Sequence, residues 1–179
     1  RLGVFEILFD RIHDGKRITI IGKGENRYQL LDVDDLVEAI YLFCLKNKKS
    51  YDGAFNIGSE KFGTVKKDLG ELFMFAKSGS KILSTPAFIV KKALFVFEKL
   101  GVSPLYQWVY DTADKDSFVS NEKIKKTLNW KTRYSNAEAL IKSYRWYQDH
   151  YKEIKAKKSG VTHTTGWKQG ILKLFKYVA

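Results

Sequence analysis

The stretch GKGENRYQLLDVDDL, residues 22–36, organises the sequence on either side of it. It follows a short apolar run and turns on Gly22 and Gly24, since glycine allows backbone conformations that other residues avoid. Asp35 precedes an apolar-periodic run and is predicted to cap a helix, because its carboxylate can accept hydrogen bonds from the free N–H groups there. The pattern predicts strand, tight loop, strand and capped helix, with three side chains clustered on the second strand: Arg27, Tyr28 and Gln29.

Length and composition indicate one globular domain with a sizeable core: 179 residues, of which 44% are hydrophobic. The single cysteine, Cys44, excludes an internal disulfide and a cysteine-based zinc site. The three histidines are far apart and lack metal-ligand spacing, so no metal site is predicted. We expect a reducing compartment, the cytoplasm. No stretch of about 20 residues lacks charge, so no membrane-spanning helix is predicted.

The net charge of +12 is concentrated in the last part of the chain, where residues 151–179 hold seven Lys and one Glu. These residues are predicted to form a basic linker and then an amphipathic helix over residues 166–179. That helix suits contact with an anionic membrane surface and equally suits docking on the rest of the protein. Nucleic acid is not an expected partner, because the sequence predicts neither a recognition helix nor an aromatic stacking platform.

Further elements follow from apolar periodicity and from capping residues. A helix over residues 35–47 is expected to turn Leu36, Ile40 and Phe43 inward. The helix over residues 86–100 is apolar nearly all round, which predicts either burial on most sides or a position beside a hydrophobic ligand or a membrane. That helix has Pro86 at its first position and Gly101 just past its end.

An N-terminal helix is expected to bring Phe5, Phe9 and Ile12 to one face. Other helices are predicted over residues 65–77 with Thr64 as cap, over residues 121–128, and over residues 135–151, where Ser135 and Glu138 form a capping box and the aromatic stripe at Tyr144 and Tyr147 packs in the core. Short strands are predicted over residues 18–21, 54–57 and 82–83.

Few residues in this sequence suggest a catalytic or ligand-binding site. Gly22 and Gly24 follow a strand, but Arg27 stands where a dinucleotide-binding loop needs a third glycine, so we reject that function. Arg27 beside a glycine turn can bind a phosphate or carboxylate, or it can pair with Asp32 or Asp34 as an ordinary surface arginine. Trp108 and Tyr110 alternate in a stretch that fits a strand or a cleft-lining loop.

Three runs of sequence carry a family resemblance: RLGVFEILFDRIHDGKRITIIGKGENRYQLLDVDDLVEAI at residues 1–40, YDGAFNIGSE at residues 51–60, and SNEKIKKTLNW at residues 120–130. They resemble the C-terminal half of NAD-dependent epimerases/dehydratases, which are extended short-chain dehydrogenases/reductases. The resemblance covers residues 1–150. It implies an α/β fold, namely the substrate-binding portion of a Rossmann-type protein with short strands and several helices.

In this family, NAD or NADP takes a hydride from a sugar or sterol carbon with the help of a Tyr-x-x-x-Lys pair. The resemblance places the cofactor loop and that pair in an N-terminal half, so this chain alone is expected to be inactive and to bind no cofactor. Tyr151 and Lys155 match the spacing, but they lie at a lysine-rich helix end and are not predicted to be catalytic. The expected partners are a small-molecule substrate and either the missing half or a second copy of this chain.

The implied substrate is a nucleotide sugar or a more hydrophobic, sterol-like or lipid-like molecule, in a cleft near Arg27, Tyr28, Gln29, Trp108 and Tyr110. In nucleotide-sugar epimerases a phosphate-binding arginine precedes the helix-cap aspartate by seven residues. That position is Tyr28 here, and a one-residue shift on a strand reverses the face of Arg27. A second hypothesis is a non-enzymatic basic module that lies on anionic membranes.

Overall fold

The computed structural model describes residues 4–46, 53–101 and 107–156. Within them the predicted α/β class is confirmed, with short strands among several helices. The elements in chain order are α1 (Val4–His13), β1 (Ile18–Ile21), α2 (Val33–Lys46), α3 (Val65–Ala76), β2 (Ile82–Thr85), α4 (Ala87–Lys99), α5 (Gln107–Thr112), α6 (Glu122–Leu128), α7 (Asn136–Asp149) and α8 (Tyr151–Ala156).

The two strands pair in parallel, with Ile18 opposite Ile82 and Ile21 opposite Thr85. The strands predicted over residues 18–21 and 82–83 are confirmed, and β2 runs two residues further than expected. Apolar β-branched residues favour this pairing because they pack well on a pleated surface. The sheet therefore fixes where the chain enters the glycine turn that follows β1.

The main core joins α1, β1, α3, α7 and α8. The predicted inward faces of α1 and α7 are confirmed: the Phe9 ring lies 5.5 Å from Tyr144 and 5.7 Å from Tyr147, measured between centroids. Each such buried side chain stabilises the fold by about 1.5–3 kcal/mol. Ile154 of α8 belongs to this core, so packing continues beyond residue 150, where the basic linker was predicted to begin. Residues 157–179, with the predicted helix over 166–179, lie outside the described residues.

A second, smaller cluster joins α2 and α6 around Ala39, Ile124, Leu128 and Trp130. The predicted inward face of α2 is wrong in part, because Leu36 and Ile40 are exposed. Apolar residues occupy both sides of this helix, so periodicity could not choose between them. Residues 54–57, predicted to be a strand, pack against this cluster as irregular chain and pair with no strand among the described residues.

The capping residues predicted for α3 and α7 are confirmed. The Thr64 hydroxyl accepts a hydrogen bond from the N–H of Lys67 at the start of α3. Ser135 and Glu138 form the predicted capping box of α7. Helix α4 lies between Pro86 and Gly101 as expected, but its predicted burial on most sides is wrong, since none of its residues is buried.

Candidate functional site

Residues 26–29 do not form the predicted strand. Single bridges join Arg27 to Thr64 and Tyr28 to Ser117. The N–H of Ser117 donates to the carbonyl of Arg27 at 2.8 Å, and the N–H of Gln29 donates to the carbonyl of Ser117 at 2.9 Å. The segment is thus held between the start of α3 and the loop at residues 113–119, and the family-based argument from strand faces does not apply to it.

The loop at residues 113–119 is anchored by short polar side chains. The Asn26 amide donates to the carbonyls of Ala113 and Lys115 at 3.1 and 3.0 Å. Gly22 has φ +82°, and a Cβ there would lie 3.0 Å from the Cβ of Asp114. The glycine turn is therefore needed for the close approach of this loop to β1.

Arg27 forms an ion pair with Asp116 across this contact. Its Nη2 lies 3.2 Å from the Asp116 carboxylate, its backbone N–H donates to the same group at 2.7 Å, and its guanidinium lies 4.4 Å from the Phe118 ring centroid. Hydrogen bonding, first from the Arg27 backbone and then from its side chain, holds the pKa of Asp116 below its usual value. The expected pairing of Arg27 with Asp32 or Asp34 is wrong, because both of those carboxylates bind Lys142 instead.

Tyr28 and Gln29 differ in what they can offer a ligand. Tyr28 is 39% exposed. The Gln29 amide donates to the carbonyl of Ser59 at 2.7 Å and accepts from the N–H of Val119 at 2.8 Å. A Cβ on Gly58 would lie 2.3 Å from the Gln29 side chain, so the amide is also closely packed. Gln29 therefore positions the surrounding loops.

Trp108 and Tyr110 lie on helix α5, so the predicted strand or loop at this point is wrong. Tyr110 is buried, and its hydroxyl donates to the carboxylate of Glu98 at 2.6 Å. Burial, with the hydrogen bond and charge of Glu98, raises the pKa of Tyr110 to about 12. Tyr110 thus joins α5 to α4, while Trp108 is 68% exposed. The structure brings Arg27, Tyr28 and Gln29 together with the loop that follows α5.

Asp35 is not the cap of α2. The helix begins at Val33, and the carboxylate of Asp32 accepts from the N–H of Asp34 at 2.9 Å. Asp35 is fully buried, and its carboxylate accepts from the N–H groups of Arg133 and Tyr134 at 3.0 and 3.3 Å. The prediction placed the helix start too late, and Asp35 instead ties α2 to the chain before α7.

The sequence did not predict a role at this site for four residues near it: Asp116, Phe118, Asn136 and Lys142. The first two pair with Arg27, and the last two hold the segment around residues 28–34. Their partners lie roughly 90 to 110 positions away in sequence, so no local pattern could reveal them.

The two glycines after β1 do not fit a dinucleotide. Gly24 has φ +72°, and a Cβ there would lie 2.5 Å from Cδ1 of Ile20, so the protein's own side chain fills that space. A dinucleotide loop needs that space for the pyrophosphate and a helix beginning beside it. At the Tyr151/Lys155 spacing, Lys155 forms an ion pair with Asp10, and the Tyr151 ring stacks on His13.

Comparisons with known proteins agree with this fold. Residues 2–58 match the sequence model of the NAD dependent epimerase/dehydratase family. The chain is 33% identical over 177 residues to an uncharacterized protein, y4nG, of Sinorhizobium fredii, which covers 99% of this chain and 44% of that protein. The chain spans less than half the length of this relative and of the solved structures it matches.

Two solved structures illustrate the likeness. An epimerase from Methanothermobacter thermautotrophicus has a TM-score of 0.64 at 17% identity, over 86% of this chain and 39% of that chain. A UDP-glucose 4-epimerase from Thermotoga maritima, solved with UDP-glucose, has a TM-score of 0.55 at 21% identity, over 83% of this chain and 40% of that chain. The family resemblance is thus confirmed: the chain matches NAD-dependent epimerases/dehydratases in sequence over residues 2–58 and has the fold of their C-terminal part.

Proposed function

We propose that this chain is the substrate-binding part of an NAD(P)-dependent epimerase, dehydratase or reductase. The family match over residues 2–58 and the likeness to the C-terminal part of solved epimerases support this role. In this proposal the cofactor loop and the catalytic tyrosine and lysine come from outside these 179 residues. The chain contributes the surface that holds and orients the substrate.

The observation that carries the proposal is the half-exposed guanidinium of Arg27, which lies over the Phe118 ring. The guanidinium is half exposed and uses Nε and Nη2 on Asp116, and its other N–H groups have no hydrogen-bond partner among the described residues. A guanidinium presents a planar set of donors that suits a phosphate oxygen pair. The partly exposed Phe118 ring lies 4.4 Å from this guanidinium, and Tyr28, the next residue after Arg27, is also partly exposed. Such rings can stack on a base or a sugar. A nucleotide sugar fits this combination.

One observation favours the more hydrophobic substrate class as a second candidate. Asp116 offsets the charge of Arg27, and an anionic ligand must compete with that carboxylate. Phe118 and Val119, two and three residues after Asp116, are both partly exposed. A sterol-like or lipid-like molecule would bind these apolar groups without disrupting the ion pair.

Calorimetric titration of the chain with UDP-glucose and, separately, with a soluble steroid distinguishes the two classes. If the ligand is a nucleotide sugar, Arg27→Ala should weaken UDP-glucose binding at least about tenfold, and Asp116→Asn should strengthen it because the competing charge is removed. Arg145→Ala is the matched control, since Arg145 also lies over a phenylalanine, with its guanidinium 4.7 Å from the Phe75 ring. Steroid binding that Phe118→Ala weakens would favour the second class. Failure of both ligands to bind would refute the proposed site.

Catalysis is the other test of the proposal. The chain alone, mixed with NAD and UDP-glucose, should give no epimerised or oxidised sugar. Product detected by chromatography, and lost in Arg27→Ala, would mean that these 179 residues contain catalytic groups, and the proposed division of roles would be wrong.

A further inference from the structure

Two charged residues of helix α4, Lys91 and Glu98, have polar partners on the side of the helix that faces the rest of the protein. The ammonium of Lys91 donates to the carbonyl of Asp111 at 3.0 Å and to the carboxylate of Asp114 at 2.5 Å. Glu98, the acidic residue of this helix, accepts the hydroxyl hydrogen bond of Tyr110 at 2.6 Å. These contacts fix α4 against α5 and the following loop, and so determine which side of the helix faces away.

The outward side of α4 is apolar. Five large side chains with helical spacing are exposed on it: Phe88 68%, Ile89 61%, Phe95 44%, Val96 52% and Leu100 68%. The charged residues on this side are Lys92 and Lys99, whose ammonium groups lie 4.2 Å from the Phe88 ring centroid and 5.4 Å from the Phe95 ring centroid. We call these seven residues the α4 face. Its net charge is positive, and it carries no acidic residue.

A helix on the surface of a globular protein ordinarily turns polar residues to water, and a contiguous exposed apolar patch marks a binding surface. Lysine can lie along apolar neighbours and extend its charge to the lipid phosphates, a feature of helices that rest in the membrane interface. Anionic lipids attract such cations. Among residues 4–46, 53–101 and 107–156, the structure contains no helix that could span a lipid bilayer.

We propose that the α4 face docks this protein on the surface of an anionic membrane. The two phenylalanines and their apolar neighbours enter the boundary between headgroups and acyl chains, and Lys92 and Lys99 bind lipid phosphates. Helix α2 also exposes apolar residues, but Asp34 and Glu38 lie near that face. They pair with Lys142 and Arg133, each of which also pairs with a second carboxylate, so the net charge there is negative and an anionic surface repels it. Charge therefore selects α4. The proposal stands independently of the substrate site at Arg27.

Co-sedimentation with vesicles tests it, using phosphatidylcholine vesicles with and without 30% phosphatidylserine. The 179-residue chain should bind the phosphatidylserine vesicles more tightly, and added salt should weaken that binding. Phe88→Glu/Phe95→Glu should reduce binding at least about tenfold, because both apolar insertion and charge attraction are lost. The control Met74→Glu/Trp146→Glu makes the same change in charge on exposed apolar residues of α3 and α7 and should bind like the wild type.

A second variant tests the same proposal without adding acidic groups, which could destabilise the fold. Lys92→Gln/Lys99→Gln changes exposed side chains only, and should weaken binding to phosphatidylserine vesicles roughly thirtyfold while leaving binding to phosphatidylcholine unchanged. The proposal is overturned if the wild type does not bind anionic vesicles, or if the α4 variants bind like the wild type. It is also overturned if the wild type stays off vesicles while Phe88→Glu/Phe95→Glu dissociates an oligomer, since the α4 face would then join two copies of this chain.

Discussion

At the scale of single residues, Asn136 joins three segments of the chain. Its side-chain oxygen accepts from the N–H of Leu30 at 2.9 Å, and its amide nitrogen donates to the carbonyl of Tyr28 at 2.7 Å and to the Asp68 carboxylate at 2.8 Å. Asn136 is almost fully buried. One side chain thus fixes the segment that carries Arg27 against α3 and α7.

We expect Asn136→Ala to lower the free energy of unfolding by about 2–4 kcal/mol, because it leaves buried hydrogen-bonding groups without partners. Urea denaturation followed by circular dichroism measures the loss. Ser135→Ala, one residue earlier, removes only the helix cap and should cost about 1 kcal/mol. Equal losses in the two variants would show that the three contacts of Asn136 contribute nothing beyond capping.

At the scale of elements, Lys142 links α7 to the first turn of α2. Its ammonium lies 2.7 Å from the Asp32 carboxylate and 2.5 Å from the Asp34 carboxylate. Partial burial alone would lower the pKa of Lys142, but the hydrogen bonds to the two carboxylates outweigh it and raise the pKa to about 12. The cation also holds Asp32 in place as the helix cap.

This linkage predicts a pH dependence. The pKa of Lys142 is raised above its ordinary value of 10.5, so its stabilisation is complete below that pH and is lost as the pH rises towards about 12. We expect Lys142→Met to destabilise the protein by about 1 kcal/mol at neutral pH, a modest value because the side chain is 37% exposed and partly screened.

The test compares wild type and Lys142→Met by urea denaturation at neutral pH and above pH 11. The difference between them should shrink at the higher pH, while both proteins lose stability as tyrosines such as Tyr110 ionise. Lys126→Met is the control, because Lys126 and its partner Glu122 are both exposed. A difference between wild type and Lys142→Met that stays constant across this range would contradict the assignment.

The elements also show what the sequence could and could not reveal. Helices α3 and α7 were predicted with their caps because Thr64 and Ser135 each belong to a capping pattern that can be read within four consecutive residues. Three features were not predicted: the start of α2, the helical state of α5 and the partner of Arg27. They depend on contacts between distant segments. The sequence places Arg27 beside the glycine turn, but its partner Asp116 lies 89 positions away.

At the scale of the whole molecule, the outer face of α2 is the other large apolar surface. Val33, Val37, Ile40, Tyr41 and Leu45 are exposed along it at helical spacing. Such a stripe usually packs against another element. The relative and the solved structure that this chain matches are more than twice as long, so we propose that protein outside these residues covers this face.

The 179-residue chain by itself should therefore self-associate through α2. Sedimentation velocity at low and high micromolar concentrations should show a species that grows with concentration, because two copies can bury their α2 stripes against each other. Val37→Glu/Tyr41→Glu should shift the protein to a monomer, since burying four carboxylates in a symmetric contact costs more than the apolar contact returns. Phe88→Glu/Phe95→Glu, which alters the α4 face instead, should leave the association unchanged. A wild-type chain that sediments as a clean monomer at every concentration would show that the α2 face does not drive pairing of two copies.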